Sequence, residues 1–275
     1  MVEILIGIAV LGGLALVFGL VLSAASKIFY VETDPRLDQL NECLPGANCG
    51  GCGYAGCGGY AEAVLKGEAE IGLCASGGNE CAQAMGEIMG IKVGEVARKV
   101  ALVRCSGYKS VDEEGNAQGA KMKAEYEGFH DCVAASKVGG NGPLACKFGC
   151  LGFGNCVKAC KYDAIHIVDG VAKVDREKCV GCGACASACP NSVISIIPEH
   201  KRKPIVQCQN KDKGGDTRKA CTAGCIGCMK CAKACPKEAI TVENNLAYID
   251  QEKCVGCQLC VKECPVGAIK VPAQL

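Results

Sequence analysis

"CVGCGACASACP", residues 179–190, returns 75 positions later as "CVGCQLCVKECP", residues 254–265. The stretches upstream return with it. Cys146, Cys150, Cys156, Cys160, Cys179, Cys182, Cys185 and Cys189 recur as Cys221, Cys225, Cys231, Cys235, Cys254, Cys257, Cys260 and Cys264. The spacers agree as well: "DAIHIV" (163–168) answers "EAITVE" (238–243), and "VAKVDREKCVGC" (171–182) answers "LAYIDQEKCVGC" (246–257). Eight cysteines at one offset mark an internal duplication, and a period of this kind governs every local reading.

The chain has 275 residues, of which 26 are cysteine; tryptophan is absent and aromatics make up 4%. With so little bulk for a large core, small units must be held by disulfides or by metal. The N-terminus bears on that choice. From Ile4 to Ala25 there is no charge, a run of 22 residues, which at 1.5 Å each is long enough for a bilayer core of roughly 30 Å. Glu3 and the missing basic n-region favour a single transmembrane helix over a cleaved signal peptide. Lys27 and Arg36 follow the span, which places the bulk on the cytoplasmic side of the inner (plasma) membrane, where disulfides are disfavoured. Gly12, Ala15, Gly19, Ser23 and Ser26 form a stripe that either admits a neighbouring helix or reflects ordinary glycine use in membrane spans. A net charge of +1 gives no case for nucleic acid.

The quoted segments and "CIGCMKCAKACP" (225–236) read C-x2-C-x2-C-x3-C-P. In this bacterial-ferredoxin spacing three cysteines bind one [4Fe-4S] cube and the fourth reaches the partner cube. Cys225, Cys228, Cys231 and Cys264 are thus expected to hold one cluster, and Cys254, Cys257, Cys260 and Cys235 another. In the first repeat Phe153 stands where Cys228 stands in the second. Cys146 is expected to fill that vacancy, giving Cys146, Cys150, Cys156 and Cys189 for one cluster and Cys179, Cys182, Cys185 and Cys160 for its partner. Lys161 replaces the usual proline. Zinc ribbons are the alternative, but they need cysteines in two pairs rather than this comb.

Upstream, "NCGGCGYAGCGGYAEAVLKGEAEIGLC" (48–74) spaces Cys49, Cys52, Cys57 and Cys74 by x2, x4 and x16. Its glycines allow tight turns round a further [4Fe-4S] cluster, and "GGYAEAVLKGEA" reads as a short helix that returns the chain to Cys74. A zinc site is again the alternative. Five clusters follow. Of the remaining cysteines, Cys105, Cys132, Cys208 and Cys221 either hold a sixth or are buried thiols, and Cys43 and Cys81 have no assigned role. No P-loop or dinucleotide fingerprint is present and no catalytic residue is evident, so the clusters pass electrons that another protein must exchange with a two-electron carrier. The basic stretch 199–221 carries seven Lys or Arg against three acids; it either docks an acidic electron donor or forms a solvated loop.

An apolar N-terminal segment, then "LPGANCGGCGYAGC" with a cysteine 16 residues beyond, then ferredoxin combs, resembles the B subunit of the Rnf complexes (RnfB) over the whole chain. These are membrane-bound ferredoxin:NAD+ oxidoreductases. The resemblance implies an electron-transfer subunit that accepts electrons from reduced ferredoxin, alongside other membrane subunits, in a complex that translocates Na+ or H+. A membrane-held reductant for an iron-sulfur transcription factor, or a cluster scaffold, is the alternative. The expected fold is α+β: a transmembrane anchor (1–28), a small helical [4Fe-4S] domain (29–97) and two tandem ferredoxin-like dicluster units (98–200 and 201–275).

Overall fold

The structure is a computed structural model that describes residues 2–28, 34–107, 109–111, 117–200 and 202–271; the side chains of 2–5, 7–10, 28, 109–111 and 117–118 lie outside that description. Lys201 of the basic stretch lies outside it too.

A helix runs unbroken over Val2–Ile28 with Lys27 in its last turn. Leu11, Leu16, Phe18, Leu20 and Leu22 are each more than 60% exposed. Among the described residues no helix is long and apolar enough to cross a membrane. The structure thus gives the helix where one is expected, but not the expected crossing.

The next segment packs three helices, Pro35–Cys43, Cys57–Leu65 and Gly78–Met89, round Leu40, Tyr60, Val64 and Met85. Asp34 caps the first by accepting the Arg36 N–H at 2.9 Å, with proline at the start of the helix where its missing donor is no loss. The buried Tyr60 hydroxyl donates to the Glu70 carbonyl at 2.9 Å and accepts from the Gly72 and Leu73 N–H groups at 3.2 Å. It thereby fixes the loop that leads into Cys74.

The two repeats fold alike. Ile165–Val168 pairs antiparallel with Val171–Val174, and Ile240–Glu243 pairs with Leu246–Ile249 in the same register shifted by 75. Both hairpins turn on two residues with positive φ, Asp169-Gly170 and Asn244-Asn245, as a type I′ turn requires. Each unit is closed by an upstream strand laid against its final one: Lys99–Val103 on Ile194–Pro198, and Ile205–Val206 on Ile269–Lys270. Strand residues and comb cysteines then share one buried cluster in each repeat. The result is mixed α/β, built of ferredoxin-type units.

One asymmetry interrupts the likeness. Cys105 and Cys146 are 41 positions apart, whereas Cys208 and Cys221 are 13 apart. The extra chain in the first repeat carries the hairpin Lys109–Val111/Ala117–Gly119 and the short helix Cys132–Ser136. Its Leu144, Ala135 and Ala120 pack with Leu151 of the first comb and Cys221 of the second repeat.

Candidate metal centres

Comb geometry follows from its turns. The short helices Asn155–Ala159, Ala184–Ser187, Lys230–Lys233 and Leu259–Lys262 each begin after a left-handed residue: Gly154, Gly183, Met229 and Gln258, with φ between 62° and 83°. That turn folds the x2 loops back, so cysteines before and after it face one space. At Gly181 a side chain would overlap the Lys99 carbonyl, so strand and comb loop touch backbone to backbone.

Cys160, Cys179, Cys182 and Cys185 line one cavity of about 350 Å3, walled by Ile165, Val174 and Ile196. Cys235, Cys254, Cys257 and Cys260 line the equivalent space in the second repeat, about 330 Å3, behind Pro204 and Ile249. Cys225, Cys231 and Cys264 pack together, and burial, then the neighbours Cys225, Cys264 and Cys228, push the Cys231 thiol up to about 11. Cys49, Cys52, Cys57 and Cys74 line a fourth space with Tyr60.

The first comb departs from expectation. The cavity of about 350 Å3 next to Cys150, Cys156 and Cys189 is lined by Cys132, not Cys146. Asn155 explains the placement: its Oδ1 accepts the Cys132 N–H at 2.8 Å and its Nδ2 donates to Asp131 at 2.7 Å. Asp131 in turn caps the helix by accepting the Ala134 N–H at 2.9 Å. That N–H and the Asn155 amide hold the Asp131 carboxyl below the usual range. Burial, then Cys150, Cys132 and Cys189, push Cys156 up to about 12. Cys146 lies elsewhere, buried beside Cys105, Asn210 and Asp212. Cys146, expected in the first comb, thus lies away from this cavity, and the inserted helix Cys132–Ser136 brings Cys132 to it instead.

Cys81 sits against Cys74, which lowers the Cys74 thiol and raises that of Cys81, and the Cys81 Sγ donates to the Met85 Sδ at 3.8 Å. Cys43 flanks the same core. Lys161, where proline was expected, donates from Nζ to the Ala47 carbonyl at 2.9 Å. Gly51 lies so close to the Cys182 carbonyl that any side chain would overlap it. These two contacts seat the Cys49 loop on the end of the first comb and on Cys182 of the second. In the basic stretch Lys211, Lys213, Arg218 and Lys219 are exposed, while Asn210 and Thr217 between them are buried.

The donor sets suit [4Fe-4S] cubes, since all cysteines are free thiols. Tetrahedral zinc draws its sulfurs to about 2.3 Å of a single centre, whereas a cube takes each thiolate on a different iron. Backbone N–H groups also aim at the sulfurs: Ala101 at Cys179 (3.3 Å), Ala164 at Cys160 (3.4 Å), Ala239 at Cys235 (3.4 Å) and Ala268 at Cys264 (3.3 Å). Such donors stabilise negative sulfur and tune a cluster's potential.

Comparison with known proteins agrees with this geometry. An Fe-S cluster family model matches residues 44–76, a 4Fe-4S binding domain matches 172–195, and a 4Fe-4S dicluster domain matches 224–268. The B subunit of the Na(+)-translocating ferredoxin:NAD(+) oxidoreductase complex of Acetobacterium woodii is 46% identical over 91% of this chain and 72% of its own length. The proton-translocating counterpart of Clostridium ljungdahlii is 47% identical over 91% of this chain and 84% of its own. The B subunit of the ion-translocating oxidoreductase complex of Methanosarcina acetivorans is 41% identical over 90% of each. With identity at this level across nine-tenths of its length, the chain belongs to the family of B subunits of ion-translocating ferredoxin:NAD(+) oxidoreductase complexes.

Proposed function

We propose that the chain is the iron-sulfur electron relay of such a complex, taking electrons from reduced ferredoxin towards NAD+ while the assembly moves Na+ or H+. A [4Fe-4S] cube accepts and passes one electron at a time. The chain's own part is to hold five of them: on Cys49, Cys52, Cys57 and Cys74; on Cys160, Cys179, Cys182 and Cys185; on Cys132, Cys150, Cys156 and Cys189; on Cys225, Cys228, Cys231 and Cys264; and on Cys235, Cys254, Cys257 and Cys260. Buried strand residues keep water from the inner sites, and the N–H donors fix the sulfurs. The units are an anchor (1–28) that crosses the inner membrane once, a cluster domain (29–97) and two dicluster units (98–200 and 201–275) on the cytoplasmic side. The relatives at 46% and 47% identity are named for different ions, so likeness in this polypeptide does not separate Na+ from H+.

One observation carries the reading. The Cys49 loop abuts Cys182 through Gly51, so the site that follows the anchor touches the first dicluster unit. Electrons entering at the dicluster units leave through the Cys49 site. Cys57→Ala in the assembled complex should abolish ferredoxin-driven NAD+ reduction in membranes, while the clusters of the two repeats are still reduced by ferredoxin in the visible spectrum. Undiminished NAD+ reduction in that variant would overturn the route.

A further inference from the structure

The second comb of each repeat lines one of two matching cavities, and two wall positions differ between them. Tyr162 lines the cavity of Cys160, Cys179, Cys182 and Cys185. Lys237, 75 positions on, lines that of Cys235, Cys254, Cys257 and Cys260. The closing strands give the other difference. Val103 pairs with Ile194, and Val206 with Ile269, 75 positions beyond Ile194. Ala101 in the first strand therefore answers Pro204, just ahead of the second, and both line their cavities.

Each difference gives the first cavity a donor that the second lacks. The Ala101 N–H reaches the Cys179 Sγ at 3.3 Å, whereas proline has no N–H to offer Cys254. Tyr162 packs on the core of the first repeat with its residue only partly covered, yet its hydroxyl is buried and meets no hydrogen-bond partner among the described residues. A hydroxyl shut from water without a partner is rare in a folded protein and calls for an explanation; this one belongs to a residue walling a space shared by four thiols. At the second site Lys237 and Cys257 are exposed, so water reaches it. Cys182, the counterpart of Cys257, lies under Gly51.

We propose that the Tyr162 hydroxyl donates a hydrogen bond to sulfur of the cube held by Cys160, Cys179, Cys182 and Cys185, and that it and the Ala101 N–H stand in for the water donors of the open site. This rests on reading the four cysteines as a cube site. A reduced cube carries one more negative charge, which burial disfavours and donors to sulfur favour. Two donors from the chain thus keep the wrapped cube reducible. Charge does not supply the difference, since each site keeps a cation: Arg176 in range of Cys179, and Lys237 at the second cavity.

A redox titration of the full-length protein, purified anaerobically in detergent and followed by low-temperature EPR with iron measured on the same samples, tests the donors without reference to turnover. Tyr162→Phe removes the hydroxyl and keeps the ring. It should hold the wild-type iron while one one-electron step moves to more negative potential, with the reduced-to-oxidised ratio of that cube about fivefold lower at the wild-type midpoint. An exchangeable-proton coupling, identified by ENDOR after exchange into D2O, should disappear from the same signal. Pro204→Ala supplies an N–H in the second repeat and should move a different step to more positive potential. Iron-replete Tyr162→Phe with every step in place overturns the hydroxyl's role. Loss of about four irons in that variant would make Tyr162 a packing residue and overturn it equally. An unmoved titration in Pro204→Ala overturns the part given to the Ala101 N–H. A wild type without iron would instead overturn the cube reading itself.

Discussion

The two repeats were built from one pattern, yet their leading combs face different surroundings. In the second repeat Cys228 sits in sequence within its comb and is exposed, as is Cys257 in the following comb. Met229, Val255 and Leu259 beside them are exposed as well. In the first repeat the position of Cys228 is taken by Phe153, which packs on Tyr126 and His130 with ring centroids 5.3 Å apart in both pairs. Cys132, which lines the cavity beside that comb, comes from the inserted segment and is buried. The counterpart of Cys257, Cys182, is covered by Gly51. One repeat is wrapped on both sides and the other is open. A cluster that trades electrons with a soluble carrier needs an exposed edge; a cluster that passes them inward is better kept from water, which alters potential and invites loss of iron.

The largest break of this comparison comes from Cys132. Cys132→Ser should cost the first repeat a whole cube, about four irons per chain, and reduce ferredoxin-driven NAD+ reduction to background. Adding Phe153→Cys to that variant rebuilds the comb as it stands in the second repeat and should recover the four irons. Full iron in Cys132→Ser alone would mean that another thiol serves the first comb. A second, smaller contrast concerns rate rather than occupancy. Challenged anaerobically with a ferrous chelator, the wild type should release iron in two phases, with about eight irons, those of the two open cubes in residues 225–264, in the fast one. A single phase would show that wrapping does not protect the first repeat.

How much of this was legible in the sequence differs from element to element. The offset of 75 gave the duplicated hairpins, since "DAIHIV" and "EAITVE" carry the same strand pattern and their turns the same Asp-Gly or Asn-Asn chemistry. It gave the comb cysteines, because a three-residue rhythm leaves the chain few ways to turn round a shared space. Cys132 was invisible to it: the insert has no counterpart in the second repeat, and proximity along the chain favoured Cys146. The offset nevertheless held a clue. Cys221, the counterpart of Cys146, has no vacancy to fill in a comb already complete with Cys228. The closing strands were hidden for another reason. Their partners lie some ninety positions downstream in the first repeat, and pairing at that range leaves no local pattern.

The finest test of the comparison sets Asn155 against Lys230, residues at the same position of the two leading combs. Asn155 spans comb and insert with two short hydrogen bonds, to the Cys132 N–H and to Asp131. Lys230 opens the helix Lys230–Lys233 and is exposed. Asn155→Ala leaves the partly buried Cys132 N–H without its partner, a loss of about 1–3 kcal/mol, while Asp131 keeps the Ala134 N–H. Lys230→Ala removes a solvated charge and should stay within about 0.5 kcal/mol of wild type. Anaerobic urea titration followed by cluster absorbance reads both. Asn155→Ala should shift the midpoint down while Lys230→Ala leaves it in place. The two variants falling equally would mean that the insert adds bulk to the first repeat without pinning Cys132 over its comb, and the wrapped site would then owe its shelter to Phe153 and the aromatic cluster rather than to the thiol's tether.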